Sequence, residues 1–377
     1  MELAPILGLA QIVGMRVSSM AGLVADAHAD PDPAQLCMRM FYLLQALGQH
    51  AFALDMQALA LRERCIFRIA GTALPRLRLL ALMAPGDMCD STPFEFVTHH
   101  LSVRLDLLYL LPDAEPPGTV PDHDVLIVAI GESHKNAPLL EQARLLLKHW
   151  PRPVLNQPAK ILGCARDAVY RALRGLPGVC VAPTWRVARG HLGRIHFPAT
   201  IRPLDSQAGH GLTRLEMPSD LLAYLEAHDA AFHYVARYME YASPDGLYRK
   251  YRVALIDGRP YACHLAIMDH WMVHYIPARM ELSEAKRREE AWALAHFDAE
   301  LGLRHGAAFV AIAARLGLDH VVLDCAELAD GRLLVFEADT RGWIHATDPP
   351  DLFPGKPAVM QKAFDAFEAM LRRRLNR

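Results

Sequence analysis

The chain has 377 residues, 52% of them hydrophobic, and its 40 basic and 42 acidic side chains leave a net charge of −2. That length exceeds one ordinary core and predicts two or three domains. The composition excludes a disordered chain, and the charge balance argues against a general nucleic-acid-binding surface.

Residues 1–24 are apolar but lack an early Lys or Arg, and Gln11 and Arg16 interrupt them. No run reaches the ~20 apolar residues of a membrane span, so this stretch reads as a helix or loose leader of a cytoplasmic protein. The seven cysteines (Cys37, Cys65, Cys89, Cys164, Cys180, Cys263 and Cys325) are scattered and contain no C-x-x-C pair. They predict a reducing compartment and no structural zinc.

Residues 34–72 carry helical periodicity, with Leu36, Met40, Leu43, Leu44 and Leu47 on one stripe. Gly48 punctuates, and a second helix runs through Ala60 and Leu61. The pattern resembles half of a tetratricopeptide-like helix pair. One copy cannot build a solenoid, so a helical cap or dimer face is the plain reading and a peptide-docking surface the sharper one.

Residues 76–155 read as a small α/β domain. Leu77–Met83 and Val125–Ile130 are short apolar runs bounded by turn residues, as buried parallel strands are. A helix is predicted over 139–149, and another over 165–174. Asp257-Gly258, between two apolar runs, is a hairpin signal, and Asp330-Gly331 is a second one. Residues 284–316 are predicted helical, with Ser283 as N-cap. A last helix spans 358–374, and its terminal Arg372, Arg373 and Arg374 suit a helix C-terminus.

The acidic hairpin carries the chemistry. A two-residue turn at Asp330-Gly331 places Asp324 opposite Glu337, side chains ~5 Å apart. Asp339, two residues on, points to the same side. Three carboxylates among Leu323, Val335 and Phe336 repel, and a hard cation such as Mg²⁺ relieves the conflict. The plainer alternative is solvent exposure, or pairing with Arg332 or Arg341.

The loop Ser206 to Gly211, with Gly209, His210 and Gly211, can fold its backbone N–H groups over a triphosphate. Many surface turns look the same. Arg202, on the strand before it, can reach a phosphate or make a surface ion pair. Lys250 and Arg252 share one strand face and suit charge developing on a transferred phosphoryl group, or a basic strand edge. His270 and His274 are spaced i, i+4, but no H-E-x-x-H exists, so His274 and Arg279 read as substrate-lining. G-x-S-x-G and G-x-x-x-x-G-K-[ST] are absent, which excludes P-loop chemistry.

Taken in order, Asn156-Gln-Pro, Arg166-Asp167, Ile201-Arg-Pro with its Gly loop, the Arg-bearing hairpin and the acidic hairpin resemble the ATP-grasp superfamily. The branch resembled is that of glutathione synthetases and ribosomal-protein glutamate ligases, with similarity to uncharacterised ATP-grasp proteins that carry tetratricopeptide-like N-termini. The resemblance covers residues 76–355. It implies an α/β and α+β chain with a helical N-terminal segment (1–75), an α/β pre-ATP-grasp domain (76–155), and small (156–245) and large (246–377) ATP-grasp subdomains.

ATP would lie between the two subdomains. Asp324, Glu337 and Asp339 would hold Mg²⁺, and Ser206 to Gly211 would cover the phosphates. Arg237, Tyr238 and Met239 would meet adenine, and Glu240 the ribose. Arg252 would stabilise an acyl-phosphate and its tetrahedral successor, and Arg279 would bind a substrate carboxylate.

Three positions depart from the family pattern. Ala168 stands where a Lys is usual, Arg202 replaces the strand Lys, and Asp339 replaces an Asn. Lys160 or Arg194 would then replace the missing cation. The implied activity is an ATP- and Mg²⁺-dependent carboxylate–amine ligase acting on an amino acid or peptide. A nucleotide-binding interaction module and a kinase-like phosphotransferase are the alternatives. No nucleic-acid or membrane partner is expected, and the apolar N-terminus hints at a homodimer.

Overall fold

The computed structural model describes residues 3–13, 15, 22, 32–72, 74–112, 114–192, 195–207 and 209–375. Residues 1–2, 14, 16–21 and 23–24 of the N-terminal stretch lie outside them, as do Arg194 and Ala208 of the phosphate loop.

The first sheet has six strands: β1 (Pro5–Ile6), β2 (Ile66–Ile69), β3 (Leu77–Met83), β4 (Val103–Tyr109), β5 (Val125–Val128) and β6 (Val154–Leu155), in the order β1-β2-β4-β3-β5-β6. β3 runs parallel to both β4 and β5, as expected of strands buried on both faces. The helices Pro33–Ala46 and His50–Glu63 lie against this sheet, separated at Gly48, whose φ is +71°. Asp32 caps the first: its Oδ1 accepts from the amides of Ala34 at 3.0 Å and Gln35 at 3.2 Å.

Two expectations change here. The buried helix face is Met38, Phe41, Tyr42 and Leu43, so of the expected stripe Leu43 is buried, Leu36, Met40 and Leu44 are half-buried and Leu47 is 48% exposed. Helix also stops at Glu63, because Ile66, Phe67 and Arg68 pair antiparallel with β4. The apolar run reads equally well as strand, and sheet pairing decides it. The helix pair therefore shares one core with β3, β4 and β5.

The second sheet follows β7 (Val179–Val181). It comprises β8 (Thr184–Ala188), β9 (Ala199–Pro203), β10 (Thr213–Leu215) and β11 (Phe232–Arg237), all antiparallel in the order β10-β9-β11-β8. The third joins β12 (Tyr248–Ile256), β13 (Arg259–Met268), β14 (His320–Glu327) and β15 (Leu333–Asp339), with β7 parallel to β15 at its edge.

Ile256 pairs with Arg259 around a two-residue loop in which Asp257 and Gly258 have φ of +49° and +80°. Positive φ at both centres matches the right-handed twist of the strands. The second hairpin is less simple. Glu327 pairs with Leu333 and the Leu328 amide donates to the Arg332 carbonyl, so the loop has three residues, 329–331. A one-residue bulge at Phe336 then restores the expected pairing of Asp324 with Glu337.

Ser283 caps the helix Glu284–Ala295, and Gly306–Leu316 and Lys356–Leu375 complete the packing. The last helix buries Met360, Phe364 and Phe367 in the core that contains Phe94, Ala254 and Val322. Its basic end is structural: Arg373 and Arg374 pair with Asp257, and Arg374 also pairs with Asp319. Among the described residues no helix is long and apolar enough to cross a membrane.

Candidate active site

A cleft of about 950 Å³ lies between the second and third sheets. β9 and β11 contribute Arg202 and Tyr234, and β12 and β15 contribute Lys250, Val335, Phe336 and Glu337. Tyr234 and Arg202 are register partners and so share the face that meets the cleft, while the bulge at Phe336 interrupts alternation along β15.

Asp324 is 1% exposed beside this cleft. Its register partner on β12 is Arg252, whose Nε donates to Oδ1 at 2.8 Å and whose second guanidinium nitrogen donates to Oδ2 at 3.1 Å. Lys250 Nζ reaches Oδ2 at 3.0 Å. Burial works against the carboxylate, but the two cations overcome it and hold Asp324 well below the usual range. Glu337, opposite it, is bound by Arg166, which opens the helix Arg166–Leu173. Burial opposes that carboxylate too, yet Arg166 keeps it below its ordinary value. Asp339 behaves differently: burial and the charge of Glu337 raise it.

Arg202 is the other anomaly. It is 8% exposed, and among the described residues no carboxylate pairs with it. Its Nε donates to Ser206 Oγ at 2.9 Å, and its terminal nitrogen donates to the Ser206 carbonyl. Burial and the positive charge of Arg166 push its pKa down. A buried guanidinium without an acid is a site that wants an anion.

The phosphate-loop candidate folds beside it as consecutive turns. His210 donates its amide to the Gln207 carbonyl at 2.8 Å and Leu212 donates to Gly209 at 3.0 Å. Gly209 has φ +80°, and a Cβ there would sit 2.6 Å from His274 Nε2. Burial, then Lys250, lowers His274 to about 4, so its ring is neutral at pH 7 and acts as a wall. His210 is exposed, and Gly211 (φ +64°) lies against Pro203. If the loop covers a nucleotide's phosphates, as the resemblance implies, Gly209→Ala is expected to displace it and weaken that binding about tenfold, since the left-handed backbone alone costs ~1–2 kcal/mol. Calorimetric titration with a non-hydrolysable ATP analogue measures it; unchanged affinity would remove the loop from the site.

Arg237, Tyr238 and Met239 line the far end of the cleft. Tyr238 is clamped, with the Arg214 guanidinium 3.7 Å from its ring centroid and Trp271 edge-on at 5.8 Å. Among the described residues neither the Met239 amide nor its carbonyl finds a hydrogen-bond partner. Leu334, Val335 and Phe336 form an apolar wall beside them.

Several predicted site residues stand elsewhere. Glu240 is exposed and spends Oε1 on the amides of Tyr241 and Ala242, both at 2.9 Å. Arg279 is exposed at φ +46° and does not line the cleft. Lys160 is exposed near Gly317, so it does not replace the missing lysine. Arg166 lines the cleft instead. Its role is invisible in sequence because its acid, Glu337, is 171 residues away.

The three-carboxylate metal site also changes. Among the described residues no group of three His, Cys, Asp or Glu side chains gathers to hold an ion. Asp324 is committed to Lys250 and Arg252. Glu337 and Asp339 lie on one face of β15, each held by a single arginine, Arg166 and Arg341, where Asp324 is held by two cations, so they are the pair whose chemistry best fits Mg²⁺.

Both line a second, polar hollow of about 420 Å³, together with Glu132, Asp205, Thr340 and Arg341. Loops after β3 and β5 close it. Thr92 Oγ1 donates to the Thr340 carbonyl at 2.6 Å, and the Glu132 amide donates to Thr340 Oγ1 at 2.9 Å. Crevices at the carboxyl ends of parallel strands are where such sheets bind ligands. Burial pushes Glu132 up to about 6.

The fold and site thus define a mixed α/β protein with an anion-seeking cleft between two antiparallel sheets. No protein-family model and no curated protein matches the chain. Among solved structures it is similar to the RimK-domain ATP-grasp protein of Sphaerobacter thermophilus, at 17% identity over 77% of this chain and 98% of that one, TM-score 0.44. It is similar to the VanG D-Ala:D-Ser ligase of Enterococcus faecalis at 13% identity over 78% and 99%, TM-score 0.47. For the D-alanine–D-alanine ligase of Bacillus anthracis the figures are 13%, 79% and 98%, TM-score 0.46. Likenesses this loose assign no activity to the chain.

Proposed function

We propose that this protein is an ATP-grasp enzyme, a Mg²⁺- and ATP-dependent carboxylate–amine ligase. The observation that carries the reading is the buried Arg202, without an acidic partner, in a cleft shared with Arg166 and Lys250 and walled on one side by apolar residues. A nucleoside triphosphate matches both ends of that cleft. The phosphates take Arg202 and the loop Ser206 to Gly211. The base takes the apolar wall and the unpaired Met239 backbone.

Phosphoryl transfer to a carboxylate builds charge on the transferred group and later on a tetrahedral oxyanion. Lys250 and Arg252, fixed by Asp324, are pre-oriented cations for that charge. Glu337 and Asp339 would hold Mg²⁺, which supplies charge neutralisation at the phosphates when bound. The polar hollow, with Glu132 and Asp205 beside Arg341, offers both signs of charge and suits a zwitterionic amino acid or a peptide end. Seven free cysteines support a reducing, cytoplasmic setting.

One observation favours a second reading. With Asp324 neutralised twice over, the chain would bind nucleotide without turning it over. Incubation with ATP, Mg²⁺ and pooled amino acids separates the possibilities. A ligase releases ADP and inorganic phosphate in equal amounts, only when the right amino acid is present. A kinase releases ADP without phosphate, and a binding module releases neither. Glu337→Gln is expected to lower Mg²⁺-dependent turnover by roughly 10²-fold or more while the chain stays folded. Undiminished turnover would refute the Glu337 assignment.

A further inference from the structure

Glu95 lies outside everything described above. It is 2% exposed, and among the described residues neither carboxyl oxygen has a hydrogen-bond partner. Buried carboxyls are ordinarily paired or hydrogen-bonded, so this one requires an explanation. It borders two hollows. One, beneath the N-terminal residues Ala10 and Gln11, measures about 260 Å³. The other, about 270 Å³, lies between the N-terminal helix pair and the loop after β3.

The second hollow has a defined chemistry. Phe41, Tyr42 and Tyr109 supply aromatic surface, and Met83 and Met88 supply thioethers. The Tyr42 and Tyr109 hydroxyls lie near each other and within the field of Glu95. Gln57 lines it too, with Oε1 fixed at 2.6 Å from the Gly86 amide. Among the described residues no Lys, Arg or His lines it, which rules against an anion. Its acids are Glu95 within and Asp87 at the half-exposed rim, and among the described residues no group of three metal-ligating side chains exists there, which rules against a caged divalent ion. Its interior admits about one water-sized group.

We propose that this hollow binds a small ammonium cation, either NH₄⁺ or the terminal –NH₃⁺ of a primary amine, with Glu95 as its counter-charge. Oxygen acceptors take the N–H bonds and the aromatic faces attract the charge. Burial raises the Glu95 carboxyl to about 7, in keeping with an acid that lacks its cation. The rim loop continues to Thr92, which bonds the Thr340 carbonyl beside Asp339. A cation here would therefore brace the loop that closes the polar hollow. The proposal does not depend on the ligase reading.

The test is thermal unfolding of the full chain at constant ionic strength in NH₄Cl, methylammonium, KCl and tetramethylammonium chloride, for the parent and for Glu95→Gln. The expected result is a saturable rise in Tm with NH₄⁺, lost in Glu95→Gln and absent with the oversized tetramethylammonium. A matching rise with methylammonium identifies an amine terminus as an acceptable ligand, and its absence restricts the site to the free ion. Equal effects of K⁺ and NH₄⁺, no effect of any salt, or the same rise in Glu95→Gln would each overturn the proposal. If Glu95→Gln does not fold, the parent carries the test alone. A protected ¹⁵NH₄⁺ resonance in its NMR spectrum supports the site, and its absence at saturating salt overturns it.

Discussion

Asp324→Asn is expected to be the most destabilising single change near the cleft, by about 3–5 kcal/mol. The substitution is nearly isosteric, so packing is unchanged. What it removes is, among the described residues, the one carboxylate paired with Lys250, and both hydrogen bonds of Arg252 to an anion. Lys250 is 9% exposed and the Arg252 side chain is about a fifth exposed, so most of each cation is held out of water. Removing one member of a buried charge cluster leaves the others uncompensated, which is costlier than removing the whole cluster. Denaturant unfolding measures the loss. Adding Lys250→Met to Asp324→Asn should recover part of it by removing one stranded charge. A loss below about 1 kcal/mol would mean that solvent reaches the cluster and that the two cations are not pre-oriented.

Arg202→Met is expected to separate binding from stability. Nucleotide affinity should fall between about tenfold and 100-fold, the equivalent of one or two charge-assisted hydrogen bonds at ~1.5–3 kcal/mol. Stability should hold or rise, because the guanidinium is buried without an acid and burial already depresses its pKa. Methionine keeps the unbranched apolar stem and removes the desolvated charge. Titration with a non-hydrolysable ATP analogue, alongside thermal unfolding, reads both. Arg202→Lys should bind at an intermediate level, since it restores the charge without the planar fork. An Arg202→Met variant that binds nucleotide normally would place the phosphates elsewhere.

These two residues show how much of the site was legible. Arg202 was visible on the strand before a Gly-rich loop, and Asp324 on an acidic hairpin. Neither partner set was. Asp324 read as a ligand for a divalent ion because its neighbours in sequence are apolar and its hairpin partner is acidic. The cations that neutralise it come from β12, more than 70 residues earlier. Arg166 was legible only as half of an Arg-Asp pair, and Lys160 was assigned a role that falls to Arg166. Glu240 and Arg279 had the right charge for their proposed tasks, but local turn geometry turned each away from the cleft.

Local chemistry determined much of the rest. The Asp257-Gly258 turn, the Ser283 cap, the parallel pair β3 and β5 and the terminal helix all follow from residues within one element, where propensity, period and capping act. The pairing of Asp324 with Glu337 was also legible, although a three-residue loop and a bulge produce it instead of the simpler turn. The tertiary structure alone decided which apolar run became β2, which face of the first helix was buried and which cation met which carboxylate. Those outcomes depend on desolvation and on contacts between residues far apart in the chain, and both are set only when the sheets close over one another.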